Sequence, residues 1–225
     1  MRDVLMHTSN NLIIVSIEEF YRTHLLTKAK SKYGSTLGED EIMSKADEAF
    51  QNLVNSEFEF YDNSDMKDYF ADKALKDERN HKTRSFFVVS SDEDNEELLG
   101  AFSLSLKSIV LSKMNNSARR KVLPSCKRSA MKHIESIPTI LIAQIGKNTK
   151  VDNPINGLDL MNLVIQTINK ARSIIGGQKI VLDSVNVPKV ITFYEKYGFE
   201  RYDDLVEDAN STNMLLPMAL DITKK

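Results

Sequence analysis

Between residues 139 and 198 the apolar pattern changes period three times, and this alternation restricts the available folds more than any other feature. Residues 139–145 form a strongly apolar run, read as a strand. Leu160, Leu163, Val164, Ile168 and Ala171 then recur at helical spacing from Leu158 onward, until Gly176 and Gly177 stop the helix. Residues 179–185 return to strand character. A second helix over 190–196 has Pro188 at its first turn and Gly198 at its end. Strand, helix and strand in this order imply a βαβ unit, with its ligand at the carboxyl ends of the strands.

The rest of the chain fits around that unit. Isoleucine and valine mark residues 11–17 as a strand, after which Ile17, Phe20, Tyr21, His24 and Leu25 line one helical face. Gly34 to Gly38 breaks the helix, and Ile42, Ala46, Ala49, Phe50 and Leu53 define the next one. Ser64 is the expected N-cap of a third, which buries Met66, Tyr69, Phe70 and Ala74. Strands are expected at 85–90, 98–111, 199–202 and 214–220, with residues 91–97 an acidic, solvated turn rather than a cation site. Residues 112–136 interrupt the β pattern with seven Lys or Arg against one Glu, and read as a partly helical insertion with a basic face.

The composition excludes several classes of protein. A net charge of -2 on 225 residues gives no global argument for nucleic acid, so any such role rests on a local patch. The longest apolar runs, such as 12–15 and 140–142, are too short to cross a membrane, and residues 1–10 hold no signal-peptide centre. A soluble, cytoplasmic protein is expected. Cys126 is the single cysteine, so no internal disulfide forms; beside Lys127 and Arg128 it is read as an ordinary thiol. His7, His24, His81 and His133 show no ligand spacing, and no metal site is expected.

Four pieces of the second half resemble, in order, the acetyl-CoA-binding core of the GNAT superfamily of N-acetyltransferases. "TILIAQIGKN" resembles the strand that splays open and offers main-chain groups to pantetheine, and "NPINGLDLMNLVI" resembles the pyrophosphate loop and its helix. "KIVLDSVN" is similar to the following strand, and "VITFYEKYGF" to the late helix ending in Tyr-x-x-x-Gly-Phe. The resemblance implies one domain over residues 1–225, an α/β (α+β) fold. Its mixed, mostly antiparallel central sheet would have about seven strands flanked by helices, with 112–136 inserted between the third and fourth. A looser resemblance, carried by residues 60–89, "LLGAFSLSL" and the basic insertion before "IP", is to acetyltransferase toxins of toxin–antitoxin pairs.

The resemblance also implies site residues. Tyr194 would be the general acid that protonates the departing thiolate, since a hydroxyl with a pKa near 10 can do so within hydrogen-bond reach. Main-chain groups of Ile145, Gly146 and Lys147 would meet the thioester and pantetheine, and Asn186 would contact pantetheine or an ordered water. The amides of Asn156, Gly157, Leu158, Asp159 and Leu160 would cradle the pyrophosphate of acetyl-CoA, the cosubstrate. Of the family's glycine-rich loop the chain keeps Gly157; Ile155 and Asp159 stand where small residues are the rule, and Gln144 where the toxins carry arginine. Phe193 and Phe199 are read as core. Glu18, Glu19 and Asp183 are acids without an assigned role as general base. The acceptor is expected to be a primary amine of a small molecule or protein. A tRNA acceptor, contacted through Lys113, Arg119, Arg120, Lys121, Lys127, Arg128 and Lys132, is the less favoured reading. A homodimer and a binding module without catalysis stay open.

Overall fold

The computed structural model describes residues 6–7, 12–61, 63–90, 97–124, 126–152, 155–207 and 214–222. In chain order the elements begin with β1 (Met6–His7), β2 (Leu12–Ser16), α1 (Ile17–Phe20), α2 (Thr27–Tyr33) and α3 (Glu39–Glu57). There follow α4 (Ser64–Asp68), α5 (Ala74–Arg79), β3 (Arg84–Ser90), β4 (Leu98–Val110), α6 (Asn116–Val122) and α7 (Arg128–Met131). The last are β5 (Ser136–Lys147), α8 (Gly157–Ile175), β6 (Lys179–Val185), α9 (Pro188–Tyr197), β7 (Glu200–Arg201), β8 (Val206–Glu207) and β9 (Met214–Asp221). Hydrogen-bonded neighbours run β1-β2-β3-β4-β5-β6-β9-β7, with β8 also on β9. The pairs β1–β2, β2–β3, β3–β4, β6–β9, β7–β9 and β8–β9 are antiparallel, and β5 pairs with β6 in parallel. This is the mixed, mostly antiparallel GNAT-like arrangement the sequence implied; β1 and β8, two residues each, are the additions to the expected strands. The acidic turn falls, except for Glu97, outside the described residues. No helix among the described residues is long and apolar enough to cross a membrane.

The chain divides into two compact units. The first comprises Met1–Leu104 and Gln144–Thr167. Its core is aromatic: Phe87 of β3 meets the rings of Phe20, Phe50 and Phe58 at 5.4, 6.2 and 5.2 Å between centroids. Helix α3 supplies Ile42, Ala46, Phe50 and Val54, an i, i+4 stripe that faces this core, while Ala49, expected inside, is exposed. Between α1 and α2 the chain takes one π-helical stretch, Tyr21–Leu26. The wider turn inserts a residue and rotates the buried face, so Ile17, Phe20 and Tyr21 are buried, His24 is exposed and the next buried residue is Ala29. The cap of α4 is Asn63, whose side chain accepts from the Met66 N–H at 3.0 Å; Ser64, the expected cap, is the first helical residue.

The second unit comprises Ser105–Ala143 and Ile168–Lys225. Here β5 pairs in parallel with β6 at Ile140↔Ile180 and Leu141↔Val181, and β6 pairs with β9 along its whole length. The basic insertion is built into this unit's core, because Val122 of α6 is fully buried in one cluster with Ile109, Leu111, Val181, Tyr202 and Ala219. Burying such a side chain contributes about 1.5–3 kcal/mol. Arg119 holds the insertion closed: its Nε donates to the Leu111 carbonyl at 2.8 Å and its Nη1 to the Met131 carbonyl at 3.2 Å. Arg119 is thus a brace, and not part of the solvated basic face that its place in a basic run suggested.

Candidate active site

In the first unit the end of β5 is a packed strand. Ile145, Gly146 and Lys147 are half-buried. A Cβ at Gly146 would overlap Met66 Sδ and lie 2.6 Å from Phe60 Cδ1, so glycine is required there by its own core. Gly100 of β4 is small for a related reason: its Cβ would stand 3.0 Å from the Gly146 carbonyl oxygen and 3.5 Å from Leu160 Cδ1. Gly100 therefore lies against both β5 and the first turn of α8, the two segments expected to carry the cofactor contacts.

Asn148, immediately after this strand, escaped the sequence reading. It is fully buried and satisfied. Its N–H donates to the Leu99 carbonyl at 2.9 Å, and Nδ2 donates to the carbonyls of Glu57 and Leu98, both at 2.7 Å. Its Oδ1 accepts from the N–H groups of Glu59 and Lys150, both at 3.0 Å. The β3–β4 register slips at this point, from Val88↔Gly100 to Val89↔Leu98. The bulged residue is Leu99, whose carbonyl and that of Leu98 are the ones Asn148 takes. An asparagine two residues past a glycine carries no signal of such a role in sequence.

The N-terminus of α8 is capped by its own side chains. Asn156 Oδ1 accepts from the N–H groups of Leu158 at 2.8 Å and Asp159 at 3.1 Å, and Asp159 Oδ2 accepts from the Asn156 N–H at 2.9 Å. The Leu160 N–H bonds to the Asn156 carbonyl at 3.1 Å. Gly157 is the one member of the expected cradle whose N–H has no partner among the described residues. Asp159, which stands where small residues are the rule in the family, closes this capping box. An anion seated here has to displace the Asn156 side chain.

In the second unit, Asn186 is exposed just past β6, and α9 follows. Pro188 occupies the first turn and Gly198, at φ 106°, ends the helix in the left-handed region that favours glycine. No residue of α9 is fully buried. Tyr194 lies edge-on between Phe193 and Phe199, with centroids at 5.3 and 5.7 Å. Phe199 is core, whereas Phe193 is half-buried. The Tyr194 hydroxyl has no hydrogen-bond partner among the described residues, and burial pushes its pKa up to about 12. It therefore stays protonated through the working pH range, as a proton donor.

The three acids differ in their surroundings. The N–H of Glu19 donates to Ser16 Oγ at 3.1 Å in the first turn of α1. Glu18 Oε2 lies 3.5 Å from Arg79 Nε, in the cluster where Arg79 also pairs with Asp47 and stacks over Tyr21. Asp183 of β6 receives Lys107 Nζ on Oδ2 at 2.5 Å, while its Oδ1 is buried without a hydrogen-bond partner among the described residues. The same carboxylate, second to burial, pushes the Tyr202 hydroxyl pKa up.

No protein-family model matches the sequence, and no curated protein matches it. Solved structures do. A bacterial toxin is similar at 18% identity over 74% of this chain and 82% of its own, with a TM-score of 0.56. A tyrosine-to-phenylalanine mutant of KacT is similar at 17% identity over 75% and 89%, and AtaT complexed with acetyl-methionyl-tRNAfMet at 17% over 76% and 89%, each with a TM-score of 0.50. At these identities the likeness is one of fold: the chain shares the fold of these proteins, the GNAT-like arrangement that its sequence implied.

Proposed function

We propose that this chain is an acetyl-CoA-dependent N-acetyltransferase with Tyr194 as its general acid. The observation that carries the reading is Tyr194 itself: a hydroxyl that burial keeps protonated, one turn before the glycine stop of α9, in a chain with the fold of the similar toxins. Acetyl-CoA supplies an activated acyl group on sulfur. A neutral acceptor amine attacks the carbonyl carbon and forms the N–C bond, the C–S bond breaks, and the Tyr194 O–H donates its proton to the leaving sulfur. The proton that the amine nitrogen loses passes through water back to the Tyr194 oxygen. Main-chain donors near Ile145 to Lys147 are suited to polarise the carbonyl. The pyrophosphate falls to the first turn of α8, where it takes over the amides of Leu158 and Asp159 from Asn156.

Acetyl-CoA tests this directly. A ligand that binds only the folded state stabilises it by about 2.7 kcal/mol at one hundred times its Kd. A rise in melting temperature is expected with acetyl-CoA. An unchanged melting temperature at millimolar acetyl-CoA refutes the enzyme and leaves the binding module.

For the acceptor, a second reading has a specific observation in its favour. Lys113, Lys127 and Lys132 of the insertion are exposed and make no ion pair among the described residues, and the similar AtaT was solved with acetyl-methionyl-tRNAfMet. An aminoacyl-tRNA acceptor predicts tRNA binding that weakens steeply with salt. Salt-insensitive or absent binding returns the acceptor to a small-molecule or protein amine.

A further inference from the structure

We propose that the second unit carries an anion-binding cleft, distinct from the acetyl-transfer residues, for a small phosphorylated compound bearing hydroxyl or amino groups. A cleft of about 680 Å³ lies within this unit, a size that suits a small organic ligand. Helix α6 contributes Arg120 and Lys121 to one wall, and the strand ends contribute Lys179, Glu200, Tyr202 and Asp221. Neither Tyr194 nor Asn186 lines it, and neither does the first turn of α8.

The charges decide the ligand class. Lys179 is buried, and Asp221, directly opposite it across the β6–β9 ladder, neutralises it at 2.7 Å. Arg120 and Lys121 are exposed, and neither has a hydrogen bond or ion pair among the described residues. They face one remaining carboxylate, Glu200, so the cleft is net positive and holds two guanidinium or ammonium donors for one anionic group. Glu200 adds an acceptor for hydroxyl or amino groups on the same ligand. The lining also includes Gly198 and Ala219, two residues of little bulk. Gly198 is fixed as glycine by its φ of 106°, so the open surface follows from the helix stop itself.

The test is a titration of the full chain with adenosine monophosphate, and separately with inorganic phosphate, followed by amide NMR. Adenosine monophosphate is expected to shift the resonances of Gly198, Tyr202 and Ala219, and phosphate to shift the same resonances at higher concentration. The double variant Arg120→Ala, Lys121→Ala is expected to weaken both by about tenfold or more. Its melting temperature should match the wild type, since both side chains are exposed and have no partner among the described residues. Undiminished affinity in that variant overturns the proposal, as do shifts confined to residues 156–160. Retained tRNA binding that needs both cations, with no response to adenosine monophosphate, also overturns it and assigns them to a polynucleotide surface. None of these outcomes depends on whether acetyl-CoA binds.

Discussion

Replacing Tyr194 with phenylalanine separates packing from chemistry, because the substitution removes one oxygen and keeps the ring. The ring contacts with Phe193 and Phe199 survive the change. The lost hydroxyl makes no hydrogen bond among the described residues, so the stability lost is well below the ~1 kcal/mol of a buried tyrosine with a partner. For a chain of this length that corresponds to a change in Tm of less than about 3 °C. Turnover should respond quite differently. A positioned acid contributes about a hundredfold to ten-thousandfold in rate, or roughly 3–5 kcal/mol of barrier. With the wild-type pKa at about 12, the proton is present throughout the assay range, so this loss should be the same at every pH tested. Release of free thiol from acetyl-CoA, followed with a disulfide reagent, gives kcat directly. We expect a fall of at least about tenfold with Tm and acetyl-CoA affinity close to wild type. Near-normal turnover in a folded variant refutes the assignment and makes Tyr194 a packing residue.

Three further substitutions probe the frame. Asn148→Ala removes four side-chain hydrogen bonds at the end of β5, which should lower stability by about 3–4 kcal/mol in chemical denaturation; a loss under about 1 kcal/mol would mean water replaces them. Arg119→Ala, which releases the carbonyls of Leu111 and Met131, should destabilise the fold by about 2 kcal/mol, and an unchanged Tm would return Arg119 to the free basic face. Burial pushes the Glu78 carboxyl up, against the opposing pull of the Ser85 N–H and Arg84. A raised folded-state pKa stabilises fully below the unfolded value and fades as pH rises through the folded one. Glu78→Gln should therefore gain stability over wild type as pH rises, and a Tm difference that is flat with pH would show that the carboxyl is not raised.

Much of the fold was legible because its signals are local. Gly198 and the Gly176–Gly177 pair stop helices through positive φ, and both stops stand where the sequence placed them. Elements of two residues, such as β1 and β8, carry too few positions for any period to register. The π-helical stretch Tyr21–Leu26 defeats a helical wheel because its extra residue shifts the face by more than a quarter turn. Arg119 was misread for a different reason. A run of Lys and Arg announces charge, but which guanidinium turns inward depends on carbonyls of Leu111 and Met131 that approach only in the folded chain.

The same limit governs the first turn of α8. Sequence establishes that a glycine-led helix start has spare N–H groups, and Asn156 with Asp159 three residues later is a pattern that fills them. Donor capacity and donor occupancy are separate quantities, and only the second decides how strongly an anion binds. With Asn156 Oδ1 already holding two amides, an incoming pyrophosphate gains the difference between its own bonds and the cap's. A charged acceptor would be favoured in that exchange, since hydrogen bonds to an ionised oxygen are about twice as strong as neutral ones. The helix can thus remain satisfied without ligand and still yield its amides to one. A glycine-rich loop, which offers no side chain to fill the gap, would leave those amides to water.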